Sequence, residues 1–156
     1  MLKIFIVYDS KYGNTKLAGE RILEGINAVG GVETGIGYVK DVEVGKVADF
    51  DVIVLGTPNH MGSPSLTMKR FVDRLVELDV KVKDVAVFGT YAGKERMIDR
   101  AVKKLEKMVE KKLHSRNLFS PGLSIRVKGI PGPIVEGELP KCLDFGKKIA
   151  RQFRHQ

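Results

Sequence analysis

Apolar runs with little polar alternation recur along this chain, and most are followed by a stretch with helical spacing. Leu2 to Tyr8 is almost continuously apolar, the pattern of a strand buried on both faces. Thr15 to Asn27 follows, with Ala18, Ile22 and Ile26 spaced as on one side of a helix. A second strand is expected over Val32 to Val39, after the Gly30-Gly31 break, and a third over Asp51 to Gly56, ending at Thr57-Pro58. Ser65 to Leu78 places Met68, Phe71, Val72 and Leu75 on one helical face. Asp84 to Gly89 reads as a fourth strand. Lys94 to Leu113 reads as a long amphipathic helix, with Ile98, Ala101, Val102, Leu105, Met108 and Val109 inward. Leu123 to Val127 supplies a fifth strand, and Leu139 to Phe153 a closing helix that carries the single cysteine, Cys142. Between strands two and three, Asp41 to Phe50 carries only a weak signal for a short helix.

Strands that alternate with helices imply right-handed crossovers and a parallel sheet covered on both faces. The expected fold is therefore α/β, in three layers. Residues 1–156 are expected to form one domain, because the Gly129-Ile130-Pro131-Gly132-Pro133 segment precedes only one further helix. In such sheets the ligand site lies at the carboxyl ends of the strands. That directs attention to the loops after strands one, three and four.

Composition narrows the class of partner. The chain carries 27 Lys and Arg against 19 Asp and Glu, a formal net charge of +8. Lys103, Lys104, Lys107, Lys111 and Lys112 fall on one expected helix, and Lys147, Lys148, Arg151 and Arg154 on the last. Such faces are ordinarily solvated. Where they are functional, they suit an acidic protein or a nucleic acid. Plain nucleic-acid binding rests on charge alone, and no sequence motif supports it. One cysteine cannot make an internal disulfide, and no apolar run approaches the length of a membrane span. A cytoplasmic location is the expectation.

The first loop, Asp9-Ser10-Lys11-Tyr12-Gly13-Asn14-Thr15, runs from a strand straight into a helix. A helix start presents unpaired N–H groups and the positive end of the helix dipole, which suits a phosphate. Ser10 and Thr15 add hydroxyls, Asn14 an amide, and Gly13 permits close backbone approach. The spacing is neither the Walker A pattern nor the Gly-x-Gly-x-x-Gly fingerprint. The second loop, Gly56-Thr57-Pro58-Asn59-His60-Met61-Gly62-Ser63-Pro64, is dense in turn formers and makes a shaped rim. His60 reads as a polar rim residue rather than a proton donor. The third is Phe88-Gly89-Thr90-Tyr91-Ala92-Gly93.

These three loops, in this order, resemble those of the flavodoxin family. Ser-x-x-Gly-Asn-Thr over Ser10 to Thr15 is similar to the family's phosphate loop, Thr/Ser-x-Thr-Gly-x-Thr. Met61-Gly62 is similar to the apolar residue and glycine that flank the isoalloxazine ring. Thr90, Tyr91, Ala92 and Gly93 are similar to the Phe-Gly-Ser-Tyr-Gly segment in the flavodoxin domains of flavodiiron proteins, with Ala92 in place of glycine. The resemblance covers the whole chain in its short form, with no extra loop interrupting the fifth strand.

What the resemblance implies is a five-stranded parallel sheet of order 2-1-3-4-5 and a non-covalently bound FMN cofactor. Ser10, Lys11, Tyr12, Gly13, Asn14 and Thr15 would hold the phosphate, and Thr57, Pro58, Asn59, His60, Met61 and Gly62 would flank the ring. Thr90 to Gly93 would offer N–H groups to the pyrimidine edge, with the Tyr91 ring over the outer face. A turned-over peptide at Gly62 would present its carbonyl to the flavin N5–H. The function implied is an electron carrier between redox proteins, here with partners presenting an acidic docking surface, since this chain is basic where family members are usually acidic. An FMN-dependent NAD(P)H:quinone reductase is the alternative, from the similarity of Gly56-Thr57-Pro58 and Met68 to Asp73. A response-regulator receiver is excluded, because Thr57-Pro58 stands where its phospho-accepting carboxylate belongs.

Overall fold

The computed structural model describes residues 1–93, 98–115 and 117–154. Strand β1 spans Leu2–Tyr8, helix α1 Asn14–Val29 and strand β2 Val32–Tyr38. Strand β3 spans Val52–His60, the two-residue β4 Ser63–Pro64, and helix α2 Leu66–Glu77. Strand β5 (Asp84–Tyr91), helix α3 (Arg100–Lys112), strand β6 (Asn117–Arg126) and helix α4 (Leu139–Arg154) complete the order. The main strands are all parallel and run β2-β1-β3-β5-β6, which is the expected 2-1-3-4-5 once the short β4 is set aside. Register runs straight through the middle, with Ile6 beside Val54 and Val54 beside Ala86. Among the described residues no helix is long and apolar enough to cross a membrane.

Period-two alternation along each strand divides the core between two layers. Ile4, Ile6, Val54, Ala86 and Phe88 meet Ile22 and Ile26 of α1 and Phe145 and Ile149 of α4. Val7, Ile53, Leu55, Val85 and Val87 meet Met68, Phe71 and Leu75 of α2 and Leu105 and Val109 of α3. Helices α1 and α4 approach until backbone faces backbone: a Cβ on Gly25 would overlap the Leu143 carbonyl oxygen, and one on Gly146 the Ile22 carbonyl oxygen. Arg154 donates to the Val29 and Gly30 carbonyls at 3.1 and 3.2 Å, capping the end of α1 from α4.

Several boundaries differ from the sequence expectation, and at two strands the reason is pairing. Strand β3 continues past Gly56 to His60, because Asn59 and His60 pair antiparallel with Pro64 and Ser63. Strand β5 runs past Gly89 to Tyr91, since Thr90 and Tyr91 still pair with Ile125 and Arg126 of β6. Helix α3 begins at Arg100, six residues later than expected; residues 94–97 lie outside the described residues. The segment between β2 and β3 forms two 3-10 turns, Val39–Asp41 and Val44–Asp49, rather than one short helix.

The fifth strand of the expectation, β6, begins at Asn117 and carries a bulge rather than an extra loop. Ser120, Pro121 and Gly122 stand opposite Val87 alone, between the Ala86–Phe119 and Phe88–Leu123 pairs. The carboxyl of Glu106 on α3 accepts hydrogen bonds from the Gly122 N–H and from Ser120, while its second oxygen finds no partner among the described residues. Burial chiefly, with Glu110 and Asp99 nearby, holds this carboxyl above its ordinary pKa. A raised acid pKa means that the folded state binds the proton more tightly than the unfolded one. The stabilising contribution is therefore full at acid pH and is lost as pH rises through the raised value. Glu106→Gln keeps an oxygen for the Gly122 N–H and removes the charge. Its melting temperature should exceed the parent's at pH 7, and the two should converge as pH falls to about 4, the unperturbed glutamate range. A difference that persists unchanged at low pH would argue against this origin.

Candidate functional site

The carboxyl ends of β1, β3 and β5 open on a cleft of about 310 Å³, within the range of cofactor pockets. Its floor is the start of α1. Gly13 sits at φ 92, a left-handed conformation that lets the chain turn from β1 directly into the helix. Ser10 Oγ accepts from the Gly13 N–H at 3.0 Å and fixes that turn. The first helical hydrogen bond runs from Leu17 N to Gly13 O, so the amides of Asn14, Thr15 and Lys16 precede it and point out of the helix start. Beneath them the Thr15 and Thr90 hydroxyls meet at 2.8 Å, joining the first loop to the third.

The second wall is a hairpin rather than an open loop. Met61 and Gly62, at φ 55 and 83, are the two central residues of a tight turn between β3 and β4, the arrangement that suits the twist of a two-residue hairpin. A side chain as bulky as methionine rarely takes that conformation. Asn59 Oδ1 accepts from the Gly62 N–H at 2.6 Å. At the base, Thr57 Oγ accepts from Ser65 N at 2.9 Å and donates to the Pro58 carbonyl. Ser65 Oγ in turn caps α2 by accepting from Met68 N.

The structure gathers Ser10, Lys11, Tyr12, Asn14 and Thr15 with Pro58, Asn59, His60, Met61 and Gly62, and with Thr90, Ala92 and Gly93, around this one cleft. Three expected residues do not line it: Gly13 shapes the turn at its floor, and Tyr91 and Thr57 stand apart. Tyr91, expected over the outer face, is 4% exposed and is not among the residues lining the cleft. It belongs to β5, and strand alternation turns it away from the side on which Thr90 meets Thr15. Thr57 is fully buried, and its hydroxyl is engaged inside the hairpin base. Asn14 lines the cleft, but its amide donates to the Pro131 carbonyl at 2.7 Å rather than lying free.

That last contact reveals a wall the sequence reading left as a bare loop. Val127, Gly129 and Ile130, between β6 and α4, also line the cleft. The density of Gly and Pro over residues 129–133 was the available signal. Glu138, 7% exposed, anchors this segment by accepting from Arg126 N at 3.0 Å and pairing with Lys141 at 2.6 Å. The rim is unusually apolar: Met61 is 97% exposed, Ile130 77% and Tyr12 51%. No carboxylate occurs among the described residues that line the cleft, and Lys11 supplies a positive charge.

Residues 6–133 match the sequence model of the family described as Flavodoxin. A flavodoxin of Aquifex aeolicus (strain VF5) is 33% identical over 87 residues, covering 53% of this chain and 47% of the relative. The chain spans about half the length of the curated relatives it matches first. A solved flavodoxin from the domain Archaea superposes with a TM-score of 0.81 at 25% identity, covering 99% of this chain and 100% of that one. The flavodiiron protein from Giardia intestinalis shares the fold at a TM-score of 0.78 and 16% identity, over 98% of this chain and 36% of that longer one.

Proposed function

The chain belongs to the flavodoxin family, whose members bind FMN, and from that premise we propose that it carries electrons between other redox proteins on an FMN held in the cleft described above. Bound FMN supplies the chemistry, taking up and releasing one or two electrons. The chain's own residues hold, orient and screen it. The amides at the start of α1, with the Ser10 and Thr15 hydroxyls beside them, would take the phosphate, where the helix dipole favours negative charge. Met61, Ile130 and Tyr12 offer apolar cover for a flat ring system. Thr90, Ala92 and Gly93 line the inner edge. The positive φ of Gly62 would let the Gly62–Ser63 peptide turn its carbonyl inward toward a ring N–H while the Gly62 N–H stays on Asn59 Oδ1.

The observation that carries this reading is one cleft that joins an anion-binding helix start to a rim of exposed apolar side chains. Exposed apolar surface of that kind marks a place where a ligand belongs. The absence of carboxylates from the described lining also spares negative charge inside the cleft any repulsion. The direct test is to purify the protein, record its visible spectrum and identify what denaturation releases. A yellow protein releasing FMN is the expected result. A colourless protein that also fails to take up added FMN would sink the proposal. Steady turnover of NAD(P)H with a quinone would instead favour the reductase.

A further inference from the structure

The fold separates the two basic helices that look alike in sequence. Helix α3 lies on the α2 side of the sheet and α4 on the α1 side, so their charges cannot form one surface. On α4, Lys148 pairs with Asp144 at 3.0 Å, and Arg154 is engaged by the end of α1. On the other side Lys69 of α2 and Lys104, Lys107 and Lys111 of α3 line one groove, and no ion pair relieves them among the described residues. Lys112 also borders it but is paired with Asp73 at 2.6 Å. Lysines at 104, 107 and 111 repeat along one helical face, a spacing at which like charges weaken the helix. The isolated chain gains nothing from that arrangement.

The groove is also placed. Ser63 and Pro64 also line it, and they are the returning strand of the hairpin whose tip, Met61, lines the cleft. Met108 contributes an apolar surface, and Leu66, 58% exposed, begins α2 just beyond Pro64. We propose that this groove, resting on the carrier reading above, is the docking site of an acidic redox protein, held by Lys69, Lys104, Lys107 and Lys111 beside the exposed edge of the cofactor. A charged rim around an aliphatic centre is the make-up of a transient protein interface. A nucleic acid is disfavoured, because no aromatic side chain lines the groove on which a base could stack.

The test compares two variants with the same change in net charge. One is Lys104→Glu with Lys107→Glu, in the groove; the other is Lys147→Glu with Arg151→Glu, on α4. The probe is an acidic [2Fe–2S] ferredoxin, titrated in its oxidised form, then mixed in its reduced form with the FMN-loaded protein. Two reduced ferredoxins give one electron each to reduce the FMN fully, with protons taken from solvent. At about 50 mM salt the groove variant should lose about tenfold in affinity and in bimolecular rate, with the gap closing near about 0.5 M salt. The α4 variant should stay within about twofold of the parent. Equal losses in both, or no saturable binding to the parent, would overturn the groove. So would tighter binding of single-stranded DNA, lost in the groove variant. Ferredoxin binding at the groove by a chain that holds no FMN would keep the docking site and defeat the carrier reading.

Discussion

Gly146→Ala should unfold this protein roughly 10 °C earlier than its parent, from a loss of about 3 kcal/mol. The added Cβ would overlap the Ile22 carbonyl oxygen, and backbone cannot rotate aside as the end of a flexible side chain can. Only separation of α1 from α4 would make room, and that would open the layer of Ile22, Ile26, Phe145 and Ile149. Gly25→Ala, which faces the Leu143 carbonyl, should behave alike. Gly45→Ala is the control: its Cβ meets nothing within 4 Å, and its effect should stay within about 0.5 kcal/mol. Thermal unfolding followed by circular dichroism reads all three. A Gly146→Ala protein as stable as its parent would mean that the two helices are not in backbone contact.

Riboflavin should bind on the order of a thousandfold more weakly than FMN. The two differ by the phosphate, and hydrogen bonds to a charged group contribute about 1.5–3 kcal/mol each, so two or three at the start of α1 suffice. Ser10→Ala with Thr15→Val should narrow the gap by about tenfold or more, by removing two hydroxyls from the phosphate loop. Thr15→Ser, which keeps the hydroxyl that meets Thr90, should preserve most of it. Quenching of flavin fluorescence gives both dissociation constants. Equal affinity for the two flavins would place the phosphate somewhere other than the start of α1.

The layered architecture was legible because its signals are short in range. Runs such as Val52 to Leu55 and spacings such as Met68, Phe71, Val72 and Leu75 report burial directly. What escaped was decided by partners distant in sequence. Strand β3 outlasts Gly56 because Thr57 and Pro58 still pair with Gly89 and Thr90 of β5 and because Ser63 and Pro64 fold back on Asn59 and His60, and β5 carries Tyr91 because Arg126 pairs with it. The same extension placed Tyr91 inside the protein, where an open loop would have left it on the rim. Ile130 could not be assigned to the cleft until Asn14 was seen to reach Pro131, 117 positions away.

The hairpin beside the cleft bears on affinity through disorder rather than through contacts. Nine residues from Gly56 to Pro64 in a free loop would each surrender about 1–2 kcal/mol of backbone entropy when a ligand fixed them. Here Thr57 and Ser65 tie the base of the hairpin and the Asn59 side chain holds the Gly62 N–H at its tip, so little of this backbone is left to adjust. The entropic cost of ordering was met when the chain folded. A guest entering the cleft therefore encounters a site already close to its final shape, and little of its binding energy goes into organising the host.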